Sequence, residues 1–193
     1  MRSLLASVLL CLALPAAVVE GAEFRGGAFT PPRLAPDFTL RASDGSEFRL
    51  SQHRGKVIAL GFGYTFCPDV CPTTLAELAQ VRQRLGEAAR GMQVVYVTVD
   101  PERDTVDRLR IYTAAFDKTF LGLTGTPEQL AEVRKAYGVS AQKQVVGGTS
   151  AAYLIHHSSS IYLIDPAGRL RVMLPFGTSI EDMAHDVKLL LRK

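Results

Sequence analysis

Cysteine is scarce in this chain. There are three in 193 residues, and one of them, Cys11, sits inside an apolar N-terminal run. Cys67 and Cys71 are then all that the body of the protein has. A bridge closing so short a loop restricts the unfolded chain little, so a purely structural disulfide would stabilise the fold less than a long-range one. Histidine is limited to His53, His156, His157 and His185. A structural zinc site takes four protein ligands, a heavy demand on so small a pool. Strong charge of one sign is also missing. The net charge is +3, with no basic run carrying interleaved aromatics, so no nucleic-acid partner is expected and the lysines and arginines read as solvated faces. Gly61 and Gly63 lack a third glycine opening a helix, which favours close backbone packing over a phosphate cradle. Tryptophan is absent, and there are no internal repeats. The length suits one domain with a real core.

The N-terminus differs from the rest. Arg2 is followed by an uncharged run from Ser3 to Val19, rich in Leu, Ala and Val and broken at Pro15. Residues 1–21 are expected to be either a cleaved signal peptide, cut after Gly21, or a retained membrane anchor acting through residues 3–19. Both readings export the domain and place it in the periplasm or on the periplasmic side of the inner membrane. Cys11 is preceded by Leu10, not by the small residue of a lipidation site, and reads as a bystander. Residues 22–35, with Gly26-Gly27 and Pro31-Pro32, read as a linker, and residues 36–193 as the domain.

Along that domain, Phe38–Leu40 and Glu47–Leu50 flank Ser43-Asp-Gly-Ser46 as a β-hairpin. Val57–Tyr64 is continuously apolar, as for a central strand buried on both faces. A helix is expected from Pro72 to about Arg90, with Thr74 and Glu77 at capping-box spacing. A buried strand follows over Met92–Val99, a helix over Val106–Phe116 and a short strand over Phe120–Leu123. Thr126-Pro127-x-Gln129 caps a further helix that ends at Gly138. Residues 139–150 read as a loop or hairpin turn around Gly147-Gly148. Strands over Ala151–Ile155 and Ser160–Ile164 flank His156-His157, a turn at Asp165-Pro-Ala-Gly168 leads to a return strand, and Ser179 opens a last helix. The order implies an α/β fold: a central mixed sheet flanked by helices, with an N-terminal β-hairpin and a histidine-bearing hairpin.

The chemistry concentrates in Cys67-Pro-Asp-Val-Cys71, at a strand-to-helix junction. On a helical turn, side chains at i and i+4 lie about 5–6 Å apart, close enough to share a metal or, after a small adjustment, to close a disulfide. Helix N-terminal amides favour thiolates, and a thiolate is both nucleophile and soft-metal ligand, so the location leaves redox chemistry and metal binding both open. Thiolates with imidazole suit copper and zinc. His53 and His185 read as solvated or inert. His156 and His157, as neighbours on an extended segment, point to opposite faces, so at most one should face the thiols. Two sulfurs and one nitrogen suit a three-coordinate copper site.

Three stretches carry a resemblance. Gly63-Tyr-Thr-Phe-Cys-Pro-Asp-Val-Cys-Pro-Thr-Thr-Leu75, Val99-Asp-Pro-Glu-Arg-Asp-Thr105, and Tyr153 through His157-Ser158 with Tyr162-Leu-Ile-Asp-Pro-Ala-Gly168 resemble the Sco/SenC family. The resemblance runs from about residue 35 to the C-terminus. It implies a thioredoxin-like fold and copper, as Cu(I) or Cu(II), bound by Cys67, Cys71 and His157. It also implies a role in assembling the CuA centre of cytochrome c oxidase, with subunit II as recipient and another copper chaperone as donor. Where that family usually has an aspartate before the histidine, this chain has His156, which removes a carboxylate and adds a competing nitrogen. The pair His157-Ser158 matches the family's histidine-Ser/Thr pair and favours His157. Asp69 reads as a loop-capping residue, and Asp100 as a turn residue or a neighbour of the site.

Two functions follow and are compatible: a copper metallochaperone, or an exported thiol-disulfide oxidoreductase that cycles Cys67 and Cys71 to reduce acceptor cysteines or to sense redox state. The CxxxC spacing and the lack of tryptophan separate the chain from ordinary thioredoxins. Cys71-Pro-Thr superficially resembles a peroxiredoxin site, but Pro68 stands where a hydroxyl should activate peroxide.

Overall fold

The computed structural model describes residues 23–146 and 152–192. The leader, Cys11 and the Gly147-Gly148 turn lie outside them. No helix among the described residues is long and apolar enough to cross a membrane.

The centre of the molecule is β4 (Val57–Gly63), every residue of which is buried. It lies parallel to β5 (Met92–Thr98), with Gly61 opposite Tyr96 and Gly63 opposite Thr98, and β5 lies parallel to β6 (Leu121–Thr124). On its other side β4 runs antiparallel to β9 (Ile161–Ile164), which pairs with β10 (Arg169–Leu174). The hairpin of β2 (Thr39–Ala42) and β3 (Glu47–Arg49) forms where its turn sequence placed it and joins through β6. The sheet reads β1-β10-β9-β4-β5-β6-β2-β3, a mixed sheet with its parallel strands at the centre, as expected.

Its outermost strand was not expected. β1 (Gly27–Leu34) occupies the stretch read as linker and pairs antiparallel with β10. Its prolines fit an edge strand, where a missing amide leaves no partner unsatisfied, and the register shifts between Ala28 and Arg33. Its entry is fixed by Asp186, a fully buried carboxylate that accepts the amides of Arg25 at 2.8 Å and Gly26 at 2.9 Å.

Among the described residues, four α-helices cover the sheet. α1 (Val70–Leu85) packs on α4 (Ile180–Leu191), burying Leu75 and Leu78 from the first and Met183, Val187 and Leu190 from the second. α2 (Val106–Ala114) lays Leu109 and Thr113 on Gly122 of β6. α3 (Pro127–Tyr137) has the expected capping box between Thr126 and Gln129, and Gly138 ends it in the left-handed conformation at φ 68°. Tyr137 packs among Phe38, Phe62 and Tyr162. α1 starts earlier than its pattern suggested and stops at Leu85, where a 3-10 turn over Gly86–Gly91 takes over. The predicted Thr74–Glu77 capping box is absent, because Thr74 is already inside the helix and its hydroxyl donates to the Val70 carbonyl.

The histidine-bearing hairpin is real but assembled differently. Its strands are β7 (Ala141–Val145) and β8 (Tyr153–His157), a separate two-stranded sheet. Part of the expected 139–150 loop is therefore strand, and the two histidines lie in β8 itself, not between strands. Ser158-Ser-Ser160 interrupts the apolar pattern, and β9 leaves from there to join the main sheet.

Candidate metal centre

The site grows from the end of β4. After Gly63 the chain turns through Tyr64-Thr-Phe-Cys-Pro-Asp69 and enters α1. Thr65 fixes this turn. Its amide and hydroxyl donate to the carboxylate of Asp104, at 3.0 and 2.6 Å, and Thr98 at the end of β5 donates to the same carboxylate at 2.6 Å. Asp104 is completely buried, and this burial pushes its carboxyl above the ordinary range despite the donors around it. It ties the ends of two central strands together. Its role escaped sequence reading, although a polar Asp-Pro-Glu-Arg-Asp loop directly after a buried strand was the available signal.

A second buried carboxylate, Asp100, controls the hairpin. It accepts the Tyr153 hydroxyl at 2.8 Å and the Arg103 guanidinium at 2.5 Å. Arg103 in turn donates to the Tyr153 carbonyl at 3.1 Å, and its guanidinium carbon lies 3.6 Å from the Tyr153 ring centre. Tyr64 completes the clamp, its hydroxyl accepting the Ile155 amide at 3.1 Å. Both ends of the first half of β8 are thus fastened to the loops after β4 and β5, and His157 follows two residues on. Asp69 does not cap as expected: it occupies the N-cap position of α1 without a side-chain hydrogen bond. The cap-like contact is made by sulfur instead, the Cys71 amide pointing at Cys67 Sγ at 3.4 Å.

The structure brings Cys67, Cys71 and His157 together. Both cysteines are free thiols; Cys71 is buried and Cys67 half-buried. Cys71 Sγ lies 3.3 Å from His157 Nε2, and the three donor atoms all fall within 4.8 Å of one another. His157 Nδ1 donates to the Ser158 carbonyl at 2.9 Å, which leaves Nε2 as the unprotonated nitrogen of the neutral ring, aimed at the sulfurs. Burial lowers the His157 pKa, so the ring is held neutral, and burial pushes the Cys71 thiol up to about 12. A metal ion entering here must therefore displace the Cys71 proton, and it meets a ready nitrogen lone pair. The three atoms converge as two soft sulfurs and one imidazole nitrogen, a donor set that suits copper or zinc and not magnesium or calcium.

The other histidines are elsewhere. His156 points away, is exposed, and has its Nε2 against the Gln144 side-chain oxygen. His53 stacks on Phe48 at 4.2 Å between ring centres, not free in solvent as expected, and His185 Nε2 lies 3.2 Å from the Glu23 carbonyl oxygen.

Residues 28–192 match the SCO1/SenC family model. The chain belongs to the SCO1/SenC family. Relatives within it include the mitochondrial SCO2 homolog of Bos taurus, 38% identical over 79% of this chain and 58% of the relative, so the chain spans well under two thirds of that protein. Among solved structures, Bradyrhizobium japonicum ScoI with copper bound is 34% identical with a TM-score of 0.74, covering 81% of this chain and 99% of that one. The apo Sco1 of Thermus thermophilus in solution is 36% identical with a TM-score of 0.75, covering 86% and 95%. The thioredoxin-like fold of the SCO1/SenC family is thus the fold of this chain.

Proposed function

We propose that this protein is a copper metallochaperone that binds one copper ion through Cys67, Cys71 and His157 and assists assembly of the CuA centre of cytochrome c oxidase. The observation that carries the reading is the convergence of two free thiols and a correctly oriented imidazole nitrogen within 4.8 Å. Family membership supports it, as does the copper bound by the similar Bradyrhizobium protein. Half-exposed Cys67 gives an acceptor thiolate a place to enter, so copper passes by stepwise exchange to subunit II of the oxidase, after loading from another copper chaperone. Residues 1–21 export the domain as signal or anchor and place it on the periplasmic side.

Titration of the reduced domain with copper tests this. One copper per chain is expected, with tight binding lost in Cys67→Ala; stoichiometric affinity retained in that variant would refute it.

The pair also supports a second reading. Cys67 is half-exposed, Cys71 is buried beside it, and the two are not bridged, the asymmetry of a thiol-disulfide oxidoreductase with one attacking and one resolving thiol. Turnover on an oxidised CuA-type acceptor, measured without copper, separates the two: exchange at a useful rate supports the reductase, and its absence leaves the chaperone alone.

A further inference from the structure

Tyr96 has no part in the ligand set, yet its hydroxyl and the Cys71 sulfur border the same space over Gly63. It stands on β5, opposite Gly61 in the parallel register, and is buried. A methyl group placed on Gly63 would collide with the Tyr96 hydroxyl and would lie 2.7 Å from Cys71 Sγ. Hydroxyl and sulfur therefore share one small space, which exists because residue 63 has no side chain. The Tyr64 carbonyl oxygen is 3.4 Å from the same hydroxyl, beyond the usual reach of an O–H donor. That bond is long for a buried hydroxyl, and the Cys71 sulfur, bordering the same space, is a second acceptor for it.

We infer that Tyr96 is a positioning residue: its hydroxyl donates a hydrogen bond to Cys71 Sγ when that sulfur is a copper-bound thiolate, and so limits the charge that Cys71 gives to the metal. The inference rests on the copper reading above. A hydrogen bond to a thiolate draws electron density out of the metal–sulfur bond and favours Cu(I) over Cu(II). Cys67 already accepts the Cys71 amide at 3.4 Å, an ordinary length for a bond to sulfur, so with Tyr96 donating each thiolate has a hydrogen-bond donor of its own.

The test compares wild type, Tyr96→Phe and a protein with 3-fluorotyrosine at position 96, each reduced and loaded with one equivalent of Cu(II). Tyr96→Phe is expected to move the sulfur-to-copper charge-transfer band to lower energy and to lower the Cu(II)/Cu(I) midpoint. 3-Fluorotyrosine, a stronger donor of nearly the same size, is expected to move both the other way. Tyr112→Phe serves as control: the Tyr112 ring packs 6.1 Å from the Tyr96 ring, and its hydroxyl has no hydrogen-bond partner, so removing it should leave band and midpoint in place. A Tyr96→Phe protein that binds copper with the wild-type band and midpoint overturns the inference and leaves the copper reading standing. If that variant does not fold, an unshifted band in the fluorotyrosine protein overturns it equally. A wild-type protein that binds no copper in either oxidation state would instead overturn the copper reading itself.

Discussion

The hydroxyl of Tyr64 accepts the backbone amide of Ile155 across a separation of ninety-one residues, at 3.1 Å. Tyr64 lies three residues before Cys67, and Ile155 lies two before His157. One hydrogen bond therefore couples the loop that presents the thiols to the strand that presents the imidazole. In Tyr64→Phe the buried amide loses its acceptor, which costs about 1–3 kcal/mol. Copper should still bind through both sulfurs but more weakly, and the nitrogen hyperfine splitting in the EPR spectrum of the Cu(II) form should broaden. A spectrum identical to wild type would show that β8 is held without this clamp.

The two adjacent histidines should separate cleanly. His157→Ala removes the only imidazole nitrogen within reach of the sulfurs among the described residues. Its copper affinity should fall beyond the roughly 10–100-fold that loss of a ligand's supporting partner costs. His156→Ala removes an exposed ring directed at Gln144 and should leave affinity and spectrum near wild type. Loss of the Cu(II)–thiolate bands in His156→Ala alone would reverse the assignment.

Gly63 is the position beside the site where a single methyl group meets the sulfur directly. Its added carbon would run into the Tyr96 hydroxyl and crowd Cys71 Sγ between the paired strands β4 and β5. Gly63→Ala should lose about 1–3 kcal/mol in urea unfolding of the metal-free protein, the usual cost of overpacking. Copper affinity should drop with it, and a variant as stable as wild type would mean that the site yields more easily than its packing implies.

Asp165 supplies the clearest pH dependence. Burial alone would raise its pKa, but the amide and guanidinium of Arg169 and the guanidinium of Arg171 outweigh that and hold the carboxyl below its usual value. A carboxylate with a depressed folded pKa adds stability above its ordinary pKa of about 4 and loses it as pH falls through the folded value. Asp165→Asn leaves the buried Arg171 without its carboxylate and should cost roughly 3 kcal/mol near neutral pH. The gap between variant and wild-type urea midpoints should narrow as the pH falls below the ordinary carboxylate pKa. A gap of constant size across that range would rule out the ionic origin.

Much of this was legible beforehand because it is local. An unbroken apolar run such as Val57–Gly63 can be satisfied only between two covered faces, and Thr126-Pro127 with Gln129 and Gly138 carries the chemistry of both helix ends. The edge strand β1 was not legible, because its prolines and glycines look like a linker until Asp186, far along the chain, captures the amides of Arg25 and Gly26. The thioether-free CxxxC at the head of α1 announced soft chemistry in the same local way, while the clamps at Asp100 and Asp104 stayed hidden, since an aspartate in a polar loop is ordinarily solvated.

The sequence by itself determined the central strands and the helices, the scarcity of possible ligands and the pairing of two thiols at a helix entrance, because these follow from steric periodicity and from counting. Only the tertiary structure decided that His157 and not His156 meets those thiols, that its Nε2 is the free nitrogen, and that Tyr96 shares the space beside Cys71. Each of those depends on how the β7–β8 hairpin and β5 are docked against the end of β4. That docking is set by buried hydrogen bonds between residues tens of positions apart, for which neighbouring residues carry no signal.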